Sequence, residues 1–217
     1  MLTDLSLRYL VSVPGRRGDT EPMPMVIVIH GRGADANDLF DLAPMLDTPD
    51  GCRFVFPNAP RAFEAYPGMN FGWTWFDGWP PHPESVAASR EVLLRFITEL
   101  TAKYPTTRLV LSGFSQGGMM SLDAGLRADG SVAAIVAMSG GLFEPDLPDL
   151  RPLAGLPVLI THGSSDEVVH VNYARRARRV LEEAGLDVEY HEYPMGHQVI
   201  PEEAAAVKQF LTRVTRA

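Results

Sequence analysis

The stretch Leu109-Val110-Leu111-Ser112-Gly113-Phe114-Ser115-Gln116-Gly117-Gly118-Met119-Met120-Ser121-Leu122 carries an apolar run into a helical pattern through a serine set between glycines. Gly113, Ser115 and Gly117 form Gly-x-Ser-x-Gly in the strand–turn–helix setting that gives this pattern meaning. A turn this sharp brings strand and helix backbones too close for β-carbons, which accounts for the glycines. It lifts the Ser115 hydroxyl clear of the sheet edge. A helix expected from about Gln116 to Arg127 stands behind it, and its N-terminus favours developing negative charge. Without the flanking strand and helix the same five residues would mark only a flexible loop.

Working outward, Met25-Val26-Ile27-Val28-Ile29 is a continuous apolar run, expected of a strand buried on both faces. Leu39, Leu42, Ala43 and Leu46 then recur at helical spacing, with Asp35 or Asn37 as the expected cap. Further strands are expected over Cys52–Phe56, Arg108–Ser112, Val132–Met138, Pro157–Thr161 and Val188–Tyr193. Helices are expected over Glu84–Tyr104 and Val171–Ala184, with a last one burying Val207, Phe210, Leu211 and Val214. Leu5–Val13 adds an antiparallel edge strand. This alternation predicts an α/β fold with a mostly parallel central sheet and helices on both faces. Residues 1–217 fit a single domain, since a domain takes roughly 100–200 residues or somewhat more. Ligands of such sheets bind beyond the carboxyl ends of the strands. The one compositional anomaly is Pro57–Pro83, rich in proline, glycine and aromatics, which holds all the tryptophans of the chain: Trp73, Trp75 and Trp79.

Composition narrows the functional classes. The formal charge of −8 sets net repulsion against nucleic acid and anionic membrane surfaces. Cys52 is the only cysteine, so an internal disulfide and a multi-cysteine zinc cage are excluded, and a plain buried thiol is expected. Met1–Arg17 carries Asp4, Arg8, Arg16 and Arg17 and no apolar core of a signal peptide. No run approaches the ~18 apolar residues of a membrane span. A cytoplasmic location follows as the expectation.

A serine hydroxyl needs a base to take its proton. His197, in Pro194-Met195-Gly196-His197, follows the last strand and precedes the final helix, where this architecture places a base in the order Ser, acid, His. His191 lies within a strand alternation, His82 among prolines and His170 at a helix start, which are ordinary surface or boundary settings. His30 and His162 end strands beside Gly31 and Gly163 and suit structural hydrogen bonding. The acid that orients the base must follow a strand end between Ser115 and His197. Asp166 fits, with Glu167 as its immediate rival and Glu144, Asp146 and Asp149 further off. An oxyanion needs two backbone N–H donors. Gln116, after the nucleophile, supplies one; Arg32, between Gly31 and Gly33 in the loop after the first buried strand, is the expected second.

Taken together, His30-Gly31-Arg32-Gly33-Ala34-Asp35, Trp75-Phe76-Asp77, Gly113-Phe114-Ser115-Gln116-Gly117-Gly118, His162-Gly163 through Asp166 and Met195-Gly196-His197 resemble an α/β-hydrolase of the phospholipase/carboxylesterase family. The resemblance runs from about Met25 to the last helix. It implies Ser115, Asp166 and His197 as triad and the Arg32 and Gln116 amides as oxyanion hole. Many relatives carry an apolar residue where Arg32 stands, a change that a backbone donor tolerates. In long-chain thioesterases of the family, the region around the Trp-rich segment helps shape the acyl channel. Trp73, Trp75 and Phe76 are therefore the expected substrate contacts, and their bulk argues against a long acyl tunnel.

Only Ser139–Leu156, with Pro145, Pro148 and Pro152 inside it, is available before the acid-bearing strand, too little for a large lid domain. The Trp-rich segment is then the candidate cover over the site, or a plug packed on the sheet. Arg175, Arg176, Arg178 and Arg179 lie on the wet face of a helix whose buried stripe is Ala174, Ala177, Leu181 and Ala184, with Arg178–Glu182 and Arg179–Glu183 as i, i+4 pairs. Metal-protease, phosphate-loop and dinucleotide motifs are missing, so no cofactor and no metal is implied. The expected activity is that of a serine carboxylesterase on small to medium carboxylic esters, working through an acyl-enzyme on Ser115. A lysophospholipase or acyl-protein thioesterase with the same triad is the alternative, and a non-catalytic binding protein on this fold is a third. The expected partner is a small-molecule or lipid ester; a homodimer is compatible with the sequence.

Overall fold

A computed structural model of the chain describes residues 1–14, 20–66 and 68–216; Arg16 and Arg17, read above among the N-terminal charges, lie outside the described residues. The strands are β1 (Tyr9–Ser12), β2 (Met23–Ile29), β3 (Arg53–Pro57), β4 (Arg61–Tyr66), β5 (Met69–Thr74), β6 (Thr106–Phe114), β7 (Ala134–Met138), β8 (Pro157–Gly163) and β9 (Asp187–Tyr193). Seven of them form one sheet in the order β1-β3-β2-β6-β7-β8-β9. Only the edge strand β1 runs antiparallel, against β3. β2 and β7 are buried at every position, as their unbroken apolar sequences require.

The helices are α1 (Ala43–Leu46), α2 (Pro83–Lys103), α3 (Gln116–Gly125), α4 (Asn172–Glu183) and α5 (Pro201–Val214). On one face, Leu93 and Phe96 of α2, Met120 of α3 and Leu181 of α4 share a core with Ile27, Leu111 and Ile160. On the other, Leu46 of α1 and Val207, Phe210 and Leu211 of α5 cover Val28, Val110 and Leu159. Among the described residues no helix is long and apolar enough to cross a membrane. Cys52 is a buried free thiol beside Thr48, and burial raises its pKa.

Two local expectations fail for identifiable reasons. The helix expected after β2 is reduced to a 3-10 turn over Phe40–Leu42 and the single turn of α1. Leu39, Ala43 and Leu46 are buried as their spacing predicts, but Pro44 gives no N–H and the Asp47 backbone leaves the helical region. Neither expected cap serves this turn, since Asp35 instead accepts the Asn37 N–H at 2.7 Å. The Pro57–Pro83 anomaly contains an unexpected hairpin, β4 against β5, whose register shifts twice. Such irregular pairing breaks the period-2 alternation by which a strand is read.

The segment Ser139–Leu156 holds two 3-10 turns, Glu144–Asp146 and Arg151–Leu153, and no lid domain. On α4, Ala174, Ala177 and Leu181 are buried, and Arg178 pairs with Glu182 at 2.8 Å. Arg179 makes no ion pair among the described residues. Arg175 pairs with Glu192 at 2.7 Å, and Arg176 with Glu144.

The register sets Ile29 of β2 beside Gly113 of β6, Phe114 beside Met138 of β7, and Met138 beside Thr161 of β8. The loops after these strands therefore converge on one edge. The closest approach there is backbone to backbone: a β-carbon on Gly117 would overlap the Ile29 carbonyl, and one on Gly113 would overlap the Gly117 carbonyl. Gly117→Ala should accordingly lose about 3 kcal/mol or more of stability. Urea denaturation checks this; a wild-type midpoint would show that the approach is not tight.

Candidate active site

Ser115 stands between β6 and α3 with φ 58 and ψ −120, a region that residues with side chains rarely occupy. Its N–H donates to Met138 O of β7 at 2.9 Å, and its carbonyl accepts from Met119 N of α3 at 3.1 Å, so both elements hold the turn. The sequence-predicted His197 and Asp166 are brought to it. His197 Nε2 lies 2.9 Å from Ser115 Oγ, and His197 Nδ1 lies 2.7 Å from Asp166 Oδ2. Glu167 is exposed and takes no part.

The protonation states follow from the partners. Burial would raise the Asp166 pKa, but hydrogen bonds from His197 and from the Val169 and Val168 N–H groups outweigh it and leave the carboxyl below its ordinary range. An ionised carboxylate only accepts. Nδ1 is therefore the protonated ring nitrogen, and Nε2 is free to accept from the Ser115 hydroxyl. His162 flanks the same carboxylate, with Nε2 3.4 Å from Asp166 Oδ2 and 2.7 Å from Val169 O. Burial lowers the His162 pKa, which keeps that ring neutral.

Arg32 sits in the loop after β2 beside Ser115: a β-carbon on the preceding Gly31 would lie 3.3 Å from Ser115 Cβ. Its side chain is exposed and turns away over Phe63 of β4, with Cζ 4.5 Å from the ring centre. The loop is clamped to β5 by Gly33 N–H to Trp73 O at 2.8 Å and Trp73 N–H to Ala34 O at 2.9 Å. His30 braces it from below. Its Nδ1 donates to Gly31 O at 2.6 Å, its Nε2 accepts from Ala59 N at 3.0 Å, and burial lowers its pKa to about 4. His30 is thus a structural hydrogen-bonding residue, as its sequence setting suggests. His191 pairs with Glu189 at 2.8 Å, and His170 Nδ1 accepts from Asn172 N at 3.2 Å; neither approaches Ser115.

The expected substrate contacts need correction. Trp75 and Phe76 are buried at 0% and 1% exposure. Trp75 Nε1 donates to His30 O at 3.0 Å, and Ser89 Oγ donates to Trp75 O. Truncating so buried a tryptophan typically costs about 3–5 kcal/mol, the behaviour of framework. Trp73 is half-buried and serves the hairpin clamp. A feature the sequence does not reveal is the Gln116 side chain, which accepts from Trp75 N at 3.0 Å and donates to Phe76 O at 2.8 Å. The nucleophile turn and the Trp-rich segment are thereby locked together. Nothing local signals it, because the partners are far apart in sequence.

A cavity of about 420 Å³ reaches α3 at Met119, four residues beyond Ser115, without being lined by Ser115, Asp166 or His197. Met119 of α3, Leu142 and Phe143 after β7, Tyr173 of α4 and Trp79 line it. Trp79 and Tyr173 are half-exposed and meet edge-on at 5.3 Å. The Trp-rich segment is thus plug at Trp75 and Phe76 and cavity wall at Trp79. Arg90 also lines it, bridging Asp123 at 2.6 Å and Asp146 at 2.7 Å.

Comparison with known proteins agrees. Residues 16–215 match the family model described as Phospholipase/Carboxylesterase. Acyl-protein thioesterase 1 of Mycosarcoma maydis is 34% identical over 239 residues, covering 97% of this chain and 98% of its own. The protein of the same name from Neurospora crassa is 37% identical over 217 residues, covering 86% and 85%. Among solved structures, esterase PE8 has a TM-score of 0.82 at 30% identity, covering 98% of this chain and 100% of its own. A carboxylesterase from Mesorhizobium loti shares the fold with a TM-score of 0.82 at 23% identity, covering 97% and 96%. With a family match over nearly its whole length on an α/β-hydrolase sheet, the chain belongs to the phospholipase/carboxylesterase family and is a carboxylic ester hydrolase.

Proposed function

We propose that this chain is a serine carboxylesterase of small to medium esters, working through an acyl-enzyme on Ser115. The observation that carries the reading is the unbroken hydrogen-bonded line from Asp166 through His197 to Ser115 at the N-terminus of α3. Ser115 Oγ attacks the acyl carbonyl as His197 Nε2 takes its proton, and Asp166 stabilises the resulting imidazolium. The oxyanion rests on the Arg32 and Gln116 N–H groups, each such donor contributing about 3–4 kcal/mol in comparable sites. His197 then protonates the leaving alcohol and activates the water that releases the acid.

The cavity walled by Trp79, Met119, Leu142, Phe143 and Tyr173 is the proposed acyl site in place of Trp73, Trp75 and Phe76. Its 420 Å³ lies within the roughly 300–1,000 Å³ of ligand pockets. A second reading, removal of acyl groups from proteins, is supported by the names of the Mycosarcoma maydis and Neurospora crassa relatives. A cytoplasmic setting suits the single buried thiol.

Hydrolysis of p-nitrophenyl esters from acetate to palmitate tests the proposal. Ser115→Ala should lose on the order of 10⁶ in kcat, and near-wild-type turnover would overturn the mechanism. Rates should peak at short to medium chains; rates still rising at palmitate would favour the thioesterase or lysophospholipase reading. Filling the cavity with Leu142→Trp should lower kcat/KM about tenfold or more on the longer esters while acetate is little affected. An equal loss on all esters would place the acyl group elsewhere.

A further inference from the structure

Glu203 lies in the first turn of α5, the helix that follows the His197 loop, and is fully buried at 0% exposure. Its Oε1 accepts from Thr161 Oγ at 2.6 Å, and the Ile200 N–H just before the helix also favours its carboxylate. Oε2 has no hydrogen-bond partner among the described residues. A carboxyl kept in this position without a cation to pair with is costly to the fold and calls for a reason.

The reason suggested is where it is attached. Thr161 lies near the end of β8, which runs on through His162 and Gly163 and leads to Asp166. The upstream end of the His197 loop is tied to the Asp166 loop by Ser164 N–H to Tyr193 O at 2.8 Å and Ser165 N–H to Met195 O at 3.1 Å. Glu203 makes the corresponding tie at the downstream end, from α5 back to β8. His197 hangs between the two. We propose that Glu203 is a positioning residue for the hydrolysis, which through Thr161 and Ile200 fixes the His197 loop against the strand carrying Asp166. The inference rests on the triad reading above.

Burial raises the Glu203 pKa to about 7. Of the elements packed around it, β8 offers Thr161 and α1 no titratable residue. β9 offers Tyr193, whose pKa Glu203 helps to raise after burial, and Glu189, paired with Arg213. Glu202 on α5 itself is exposed. The folded-state value lies above that of a free carboxyl, so the fold favours the protonated form. Ionisation does not break the tie, since the Thr161 hydroxyl and the Ile200 N–H both favour the carboxylate, but the fold loses stability as the pH rises toward about 7 and a buried charge forms.

The test measures kcat and KM per titrated active site from pH 6 to 9, together with the imidazole Nδ1–H proton resonance of His197, for wild type, Glu203→Gln, Glu203→Leu and Thr161→Val. Glu203→Leu and Thr161→Val should lower kcat about tenfold or more with KM within about twofold, and broaden or shift the resonance. Glu203→Gln, whose amide oxygen still accepts from Thr161, should restore both. Folded variants of lower Tm but with wild-type kcat and resonance would reduce Glu203 to a stability role and overturn the inference, as would a Glu203→Gln variant as impaired as Glu203→Leu. Thr161→Val serves where Glu203→Leu does not fold. The resonance requires no turnover, so it decides the inference even if wild type hydrolyses no ester, an outcome that would count against the proposed function alone.

Discussion

The backbone of α3 runs against the end of β2 with no side chain between them, and the rest of the structure is arranged around that approach. Gly117 meets the Ile29 carbonyl, and Gly113 meets Gly117. Because the two backbones touch, the chain must reverse within a few residues, and Ser115 is pressed into positive φ. Strain of this kind costs on the order of 1–3 kcal/mol and persists only where the surroundings over-determine it. Here they do: Met138 O fixes the Ser115 N–H, and β6 lies between two fully buried strands.

Around the turn, position is set by saturation of buried polar groups. Both oxygens of Asp166 are engaged, Oδ2 by His197 and Oδ1 by two backbone N–H groups, which is why a carboxylate this buried stays ionised. Leaving one such group unpaired would cost about 1–3 kcal/mol, so each bond also restricts where its partner can lie. The Gln116 amide works in the same way on the Trp75–Phe76 segment, and His30 on the Gly31 carbonyl. The proposed reaction therefore depends on loops that are individually irregular but jointly fixed. Glu203 stands out in this company because one of its oxygens is left without a partner.

Much of this was legible in the chain. The apolar runs of β2 and β7 announce strands covered on both sides, and Gly-x-Ser-x-Gly between strand and helix announces the turn. His197 could be picked out because it alone follows the last strand. Asp166 was separated from Glu167 by the family resemblance, not by the residues. The reading failed where local pattern and tertiary role part company. Leu39, Ala43 and Leu46 are buried as a helix would bury them, yet most of that helix is absent. Trp75 and Phe76 have the bulk of substrate contacts yet lie beneath the site, because their backbone and indole groups find buried partners there.

Apart from the β4–β5 hairpin and the shortened helix after β2, the sequence by itself determined the order of strands and helices, the nucleophile turn and the side of the sheet on which the chemistry lies. Each of these is written in periodicity or in short-range sterics, where neighbours in sequence are neighbours in space. Only the tertiary structure decided which tryptophan lines the cavity, where Arg32 points and what Gln116 and Glu203 hold. Those outcomes depend on hydrogen bonds such as Gln116 to Trp75 and Glu203 to Thr161, which join residues about 40 positions apart. Contacts between elements that meet only after the sheet has formed leave no periodic trace in the chain.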